Sequence, residues 1–134
     1  MTPEAKFSKW VVSNFLRDAD VQRIETSTGS GVPDINVCYQ GFEFWIETKI
    51  MTPSFKTLLR PYQGAWIQRR SAAGGSVFVF SLNEASDHLW IWKGSGLITK
   101  LDGKYMSIVS TQLLCDKRRN LNLDLLIKAN KSHI

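Results

Sequence analysis

Apolar residues fall at helical spacing near the start of the chain. Phe7, Val11 and Phe15 recur at four-residue steps, Trp10 and Val12 widen the stripe, and Pro3 suits a first turn. The pattern predicts a helix over residues 3–19, with Glu4 leading its apolar face. The period then changes to two. Val21 to Thr26 reads as a short strand, and Ser27 to Pro33 (S-T-G-S-G-V-P) as a Gly- and Ser-rich turn. Ile35 to Tyr39 and Phe42 to Ile50 read as two strands joined by a tight hairpin at Gln40-Gly41. In the second of them Phe42, Phe44, Ile46 and Thr48 share one face, while Glu43, Trp45, Glu47 and Lys49 share the other.

A connector carrying Pro53 follows, and Pro61 is then well placed to open a helix that reaches about Ala73 and closes at Gly74-Gly75. Ser76 to Phe80 and Leu89 to Trp92 are short strands around a polar turn. Beyond them the pattern gives a weak helix over residues 96–101 and another from near Ser110, which Asn120 to Asp124 would interrupt or end. The predicted class is α/β: a mixed central sheet flanked by helices, in the order αβββαββ with C-terminal helical additions. The length of 134 residues, 43% of them apolar, suits one domain with its own core.

Charge adds a preference for an anionic partner: 17 Lys and Arg against 12 Asp and Glu give a formal charge of +5. Its distribution says more than its size. Thr48 to Asn83 contains no carboxylate but holds Lys49, Lys56, Arg60, Arg69 and Arg70, a candidate phosphate-facing stretch that is equally readable as an uneven solvated face. The two cysteines, Cys38 and Cys115, read as reduced core thiols. His88 and His133 lie where nothing suggests a zinc site or a catalytic triad. No apolar run approaches the roughly 20 residues of a membrane span, and the start of the chain lacks the apolar segment of a signal peptide. The expectation is a soluble cytoplasmic protein, or one of the host cytoplasm if a virus encodes it.

The chemistry concentrates in the hairpin. Asp34 precedes its first strand and Glu47 lies near the end of its second, with a chain reversal between them, so one ion could meet both carboxylates. The backbone carbonyl of Thr48 could add a ligand. Lys49, on the face of Glu47, could orient or help deprotonate a water and offset phosphate charge. An alternating Glu and Lys pattern often marks only an exposed strand face. Here, however, Trp45 shares that face, and charges beside it are costly to bury without a partner or a metal.

Gly31-Val32-Pro33-Asp34, the hairpin and Glu47-Thr48-Lys49 resemble the P-D…E-x-K signature of the restriction-endonuclease-like nuclease superfamily. Within it, Gly31 to Asp34, Gln63 and the Gly74-Gly75 turn look like the virus-type replication-repair nuclease domain, a group that includes junction-resolving enzymes. The likeness covers residues 4–80, leaving 81–134 as additions without counterpart. It implies that Asp34 and Glu47 are metal ligands, Lys49 the catalytic lysine and Gln63 an active-site support. It also implies a carboxylate from the first helix, for which Glu4 is preferred and Glu25 competes. Ser30 and Gly31 would form a small-residue turn near substrate, and Lys56, Arg60, Arg69 and Arg70 would contact phosphate.

The implied function is a magnesium-dependent DNA endonuclease, with manganese as a substitute, acting as a homodimer on branched DNA in the manner of a Holliday junction resolvase. The alternatives are a flap, nicking or end-processing nuclease of the same superfamily, and a noncatalytic nucleic-acid-binding protein. Trp66 is the tryptophan singled out for stacking or a subunit contact.

Overall fold

The chain is described by a computed structural model over residues 1–24 and 30–132. Helix α1 (Pro3–Trp10) starts where expected: Thr2 caps it by accepting from the Ala5 amide, and Pro3 occupies the first turn. It ends earlier than its apolar stripe suggests. From Val11 to Phe15 the winding widens to a π turn, with the Leu16 amide donating to the Val11 carbonyl five residues back. Phe15 and Leu16, at the end of this turn, are both buried.

Strands β1 (Asp20–Arg23), β2 (Ile35–Tyr39) and β3 (Phe42–Ile50) form an antiparallel meander. The hairpin between β2 and β3 turns on Gln40 and Gly41, both at positive φ (51° and 81°), the geometry of a two-residue turn that matches strand twist. After the two-residue strand β4 (Leu58–Leu59) comes α2 (Pro61–Ala72), ended by Gly74 at φ 97°. This helix makes the crossover to β5 (Val77–Asn83), which lies parallel to β3 with Glu47 level with Val79.

Strand β6 (His88–Lys93) returns antiparallel. The next two expectations fail. Residues 96–101 are not helical; β7 (Thr99–Asp102) and β8 (Tyr105–Ile108) form a hairpin across Gly103, at φ 62°, and Lys104. The segment after Ser110 is extended and becomes β9 (Leu114–Lys117), because the edge of β6 offers it a ladder that an isolated helix would leave empty. A helix, α3 (Leu123–Ser132), forms only where Asn122 can cap it through the Leu125 amide, and it buries Leu123 and Leu126.

The large sheet has the order β1-β2-β3-β5-β6-β9 and the small one β4-β8-β7. This is a mixed central sheet flanked by helices, the predicted class; the expected C-terminal helices are instead three strands and one helix. One face, with Phe44, Ile46, Phe78 and Phe80, packs on α1, the π turn after it and α3 through Phe7, Val11, Leu123 and Leu126. The other, with Val77, Val79 and Trp92, packs on α2 through Trp66 and Ile67. The faces of β3 are therefore those its alternation predicts. Cys38 and Cys115 are exposed rather than core thiols, since each occupies a position of its strand that points away from both clusters.

Among the described residues no helix is long and apolar enough to cross a membrane. Glu25 and Thr26 of the expected strand, and Ser27 to Gly29 of the glycine-rich turn, lie outside the described residues, as does His133.

Candidate active site

Alternation along β3 turns Glu47 toward α2, where it is 2% exposed, while the buried Thr48 points the other way. Asp34 enters from the loop ahead of β2, and Thr48 fixes it: the Thr48 amide and hydroxyl donate to its Oδ2 at 3.3 and 2.9 Å. Glu4 arrives from the first turn of α1. One carboxylate oxygen from each of Glu4, Asp34 and Glu47 lies within 4.8 Å of the others. Three elements separated by up to 43 positions (47 − 4) thus converge on one point.

Glu47 and Lys49 are tied to α2 by Gln63. Its Oε1 accepts from Lys49 Nζ and from the Arg60 amide, both at 2.9 Å, and its Nε2 donates to Glu47 Oε2 at 3.2 Å. The same side chain therefore caps the helix and bridges Lys49 to Glu47. Lys49 Nζ also lies 3.7 Å from Glu47 Oε2.

Gly31 holds the preceding loop close enough for this to work. It sits at φ 79°, and a Cβ there would stand 2.2 Å from the Tyr62 carbonyl oxygen, so only glycine lets the loop meet the start of α2. Gly31 and Asp34 in the P-D element are thus coupled to Gln63 by backbone contact.

Electrostatically the cluster sets three carboxylates against the single ammonium of Lys49. Burial pushes the Glu47 carboxyl up to about 8, with Asp34 and Glu4 adding to the rise and Lys49 opposing it. Glu4 is pushed up as well, first by partial desolvation and then by Asp34, against Lys49 and Arg60. Glu47 Oε1 is buried without a hydrogen-bond partner. Three hard oxygen donors and an orphaned buried lone pair fit a divalent cation of the magnesium or manganese kind, and Glu4, Asp34 and Glu47 are the residues that could hold it.

Beside the cluster a cleft of about 380 Å³ is lined by Thr2, Glu4, Ala5, Ser8, Arg23, Ile24, Asp34 and Thr48. Arg23 was not visible as a site residue in the sequence. It ends β1 opposite Ile35, the neighbour of Asp34, and its Nη2 donates to the buried Ser8 hydroxyl of α1 at 2.9 Å. The antiparallel pairing of β1 with β2 was the signal, since it puts the last residue of β1 level with the start of β2.

The other expected contacts scatter. Lys56 is paired with Asp102 at 2.7 Å. Arg69 is exposed in the last turn of α2. Arg70 stacks on Trp66 and Trp45, 4.8 and 5.7 Å from the ring centres, and lies against Gly75. Arg60 stays near the cluster as the residue before α2, and Ser30 is exposed next to Gly31. Trp66 is buried against Trp45 and so is not a free surface for stacking or subunit contact.

No family model matches the chain, and no curated protein does. Among solved structures, Hjc from the archaeal hyperthermophile Archaeoglobus fulgidus, a Holliday junction resolvase, aligns over 80% of this chain and 84% of its own, with a TM-score of 0.59 and 13% identity. The fold is that of a Holliday junction resolvase. At this identity the likeness establishes architecture alone and leaves activity to be argued from the residues.

Proposed function

We propose that the chain is a magnesium-dependent endodeoxyribonuclease that cuts branched DNA, resembling a junction resolvase and working as a homodimer. The observation that carries the reading is the convergence of Glu4, Asp34 and Glu47 on one point beside Lys49 and Gln63. These are the residues that the P-D…E-x-K likeness assigns, brought together from three elements. An exposed strand face with accidental charge would not bury Glu47, orphan one of its oxygens and bridge it to a helix cap.

A bound divalent cation would polarise the phosphate oxygens and make water more acidic at neutral pH. Asp34, pinned by Thr48, and the buried Glu47 set the donor positions; Glu4 completes the set from the solvent side. The Thr48 carbonyl is the further ligand the motif implies. The Lys49 ammonium, held by Gln63, orients the attacking water and offsets charge that grows on the phosphate. Attack on phosphorus breaks one P–O bond, leaving one end as a phosphate monoester and the other as a hydroxyl. The narrower kinship with virus-type replication-repair nucleases rests on Gly31 to Asp34, Gln63 and Gly74-Gly75.

The test is magnesium-dependent cleavage of four-way junction, flap, nicked, single-stranded and duplex DNA at equal salt, with Asp34→Asn as the blank. Junctions cut in preference to matching duplex are expected. Cleavage of flaps or single strands with junctions spared would retain the nuclease and replace its substrate. No metal-dependent cleavage of any DNA or RNA would favour a noncatalytic binding protein.

A further inference from the structure

The small sheet places a second set of groups beside the start of α2. Arg60, Pro61 and Tyr62 meet Lys104 and Tyr105 of the β7–β8 hairpin around a cleft of about 260 Å³. Two cations and two phenol rings line it, from segments over forty positions apart (104 − 60 = 44). Arg60 Nη1 donates to the Tyr62 hydroxyl at 3.2 Å, and Lys104 Nζ lies 5.8 Å from the centre of the Tyr105 ring.

Neither cation has a carboxylate partner among the described residues. The nearby Asp102 is taken by Lys56 at 2.7 Å, so the hairpin neutralises one lysine and presents the other. Tyr62 is exposed and Tyr105 half-buried, and accessible ring faces beside unpaired cations are the chemistry that grips a nucleic-acid strand: bases stack on the rings while the charges meet phosphate. The cleft is too small for a duplex and suits one nucleotide.

Its place relative to the acidic cluster is fixed by covalent neighbours. The Arg60 amide donates to Gln63, which also holds Lys49 and Glu47, and the Tyr62 carbonyl is what Gly31 packs against. The cleft and the cluster therefore share the first turn of α2.

We propose that the Arg60–Tyr62–Lys104–Tyr105 cleft binds one unpaired nucleotide of a DNA strand where it leaves its duplex beside the cleavage site. This deepens the nuclease reading and rests on it for the position of the scissile phosphate. It gives the β7–β8 hairpin a role in selecting branched over continuous DNA.

Binding without metal tests it apart from catalysis. Three labelled probes are titrated in chelator: an oligothymidylate, a duplex with a single-stranded arm, and the blunt duplex. The wild-type chain is expected to prefer the first two. Tyr105→Ala combined with Lys104→Ala should weaken those two about tenfold and the blunt duplex less than twofold. Tyr105→Phe, which keeps the ring, should bind as wild type, and the exposed Lys104→Glu should reproduce the selective loss without touching a buried contact.

Equal losses on all three probes, or no loss on any, would overturn the proposal. The selective loss in a chain that cleaves nothing would uphold the cleft and remove the nuclease; cleavage of branched DNA without the selective loss would do the reverse.

Discussion

Glu47 is held where an unpaired carboxylate is least comfortable, and its neighbours explain what each substitution should do. Asp34→Asn and Glu47→Gln each remove a charged donor with little change of volume, so each should lower metal-dependent cleavage about a thousandfold or more while circular dichroism stays unchanged. Lys49→Ala should cost at least about a hundredfold in turnover yet leave metal binding intact, since Lys49 offers no ligand. Glu4→Gln should cost more turnover than Glu25→Gln; the reverse order would reassign the carboxylate from the first helix. The raised Glu47 carboxyl also predicts a pH effect on the metal-free chain. The folded state retains a proton that the unfolded chain releases near 4.5, so this contribution to stability is fully present below about 4.5 and lost as pH rises through about 8. The metal-free thermal midpoint should therefore fall across that window. In Glu47→Gln the fall should flatten, and an unchanged slope would mean that burial is not what perturbs this group.

Helix α2 reaches the site through its first turn, and the glycine that permits this offers a test of the element. Gly31→Ala meets both a positive φ and the Tyr62 carbonyl oxygen at 2.2 Å, whereas Gly74→Ala meets a positive φ with open space around it. The first should cost roughly 3 kcal/mol and displace Gln63, lowering turnover in the surviving folded fraction; the second should cost about 1 kcal/mol and spare turnover. Equal losses in urea unfolding would mean that the loop does not lean on the helix. The elements that form this junction were the legible ones. β3 alternates cleanly, Gln40-Gly41 marks a turn, Pro61 opens a helix and Gly74 closes it, all of them local signals. Asp34, Glu47 and Lys49 could be singled out for the same reason, whereas Gln63 and Glu4 were implied only by the family likeness. What could not be read depends on contacts between distant segments. Arg23 joins the site only because β1 pairs with β2, and β9 is a strand only because β6 has a free edge. The β7–β8 hairpin did carry a local signal, Gly103 as the first residue of a two-residue turn with Lys104, which an expected helix over residues 96–101 concealed.

At the scale of the molecule, one chain brings together one acidic cluster among its described residues, and it is built from side chains that no second cluster could share. Symmetric resolution of a four-way junction needs two incisions in opposed strands, so a single chain must either dissociate between cuts or act with a copy of itself. Burial of Trp66 removes the contact first considered for such pairing, and α3 spends Leu123 and Leu126 on its own core. Phe55, Ile98, Leu101 and Val109 are the large apolar side chains left 55–72% exposed around the small sheet. Pairing makes a prediction that does not depend on knowing the interface. On a supercoiled plasmid carrying an extruded cruciform, a dimer places both centres on the junction before the first cut. Relaxation by that cut would reabsorb the cruciform and destroy the substrate for a lone chain. A homodimer should therefore yield linear plasmid as the first product, at a rate proportional to dimer measured by solution mass. A monomer should accumulate nicked circles that never become linear. The formal charge of +5 adds that binding weakens steeply with salt, with the ratio of linear to nicked product falling as the pair dissociates before its second incision. Nicked circles as the dominant product at low salt, from a chain of monomer mass, would leave a nuclease that cuts one strand of branched DNA and would remove the resolvase.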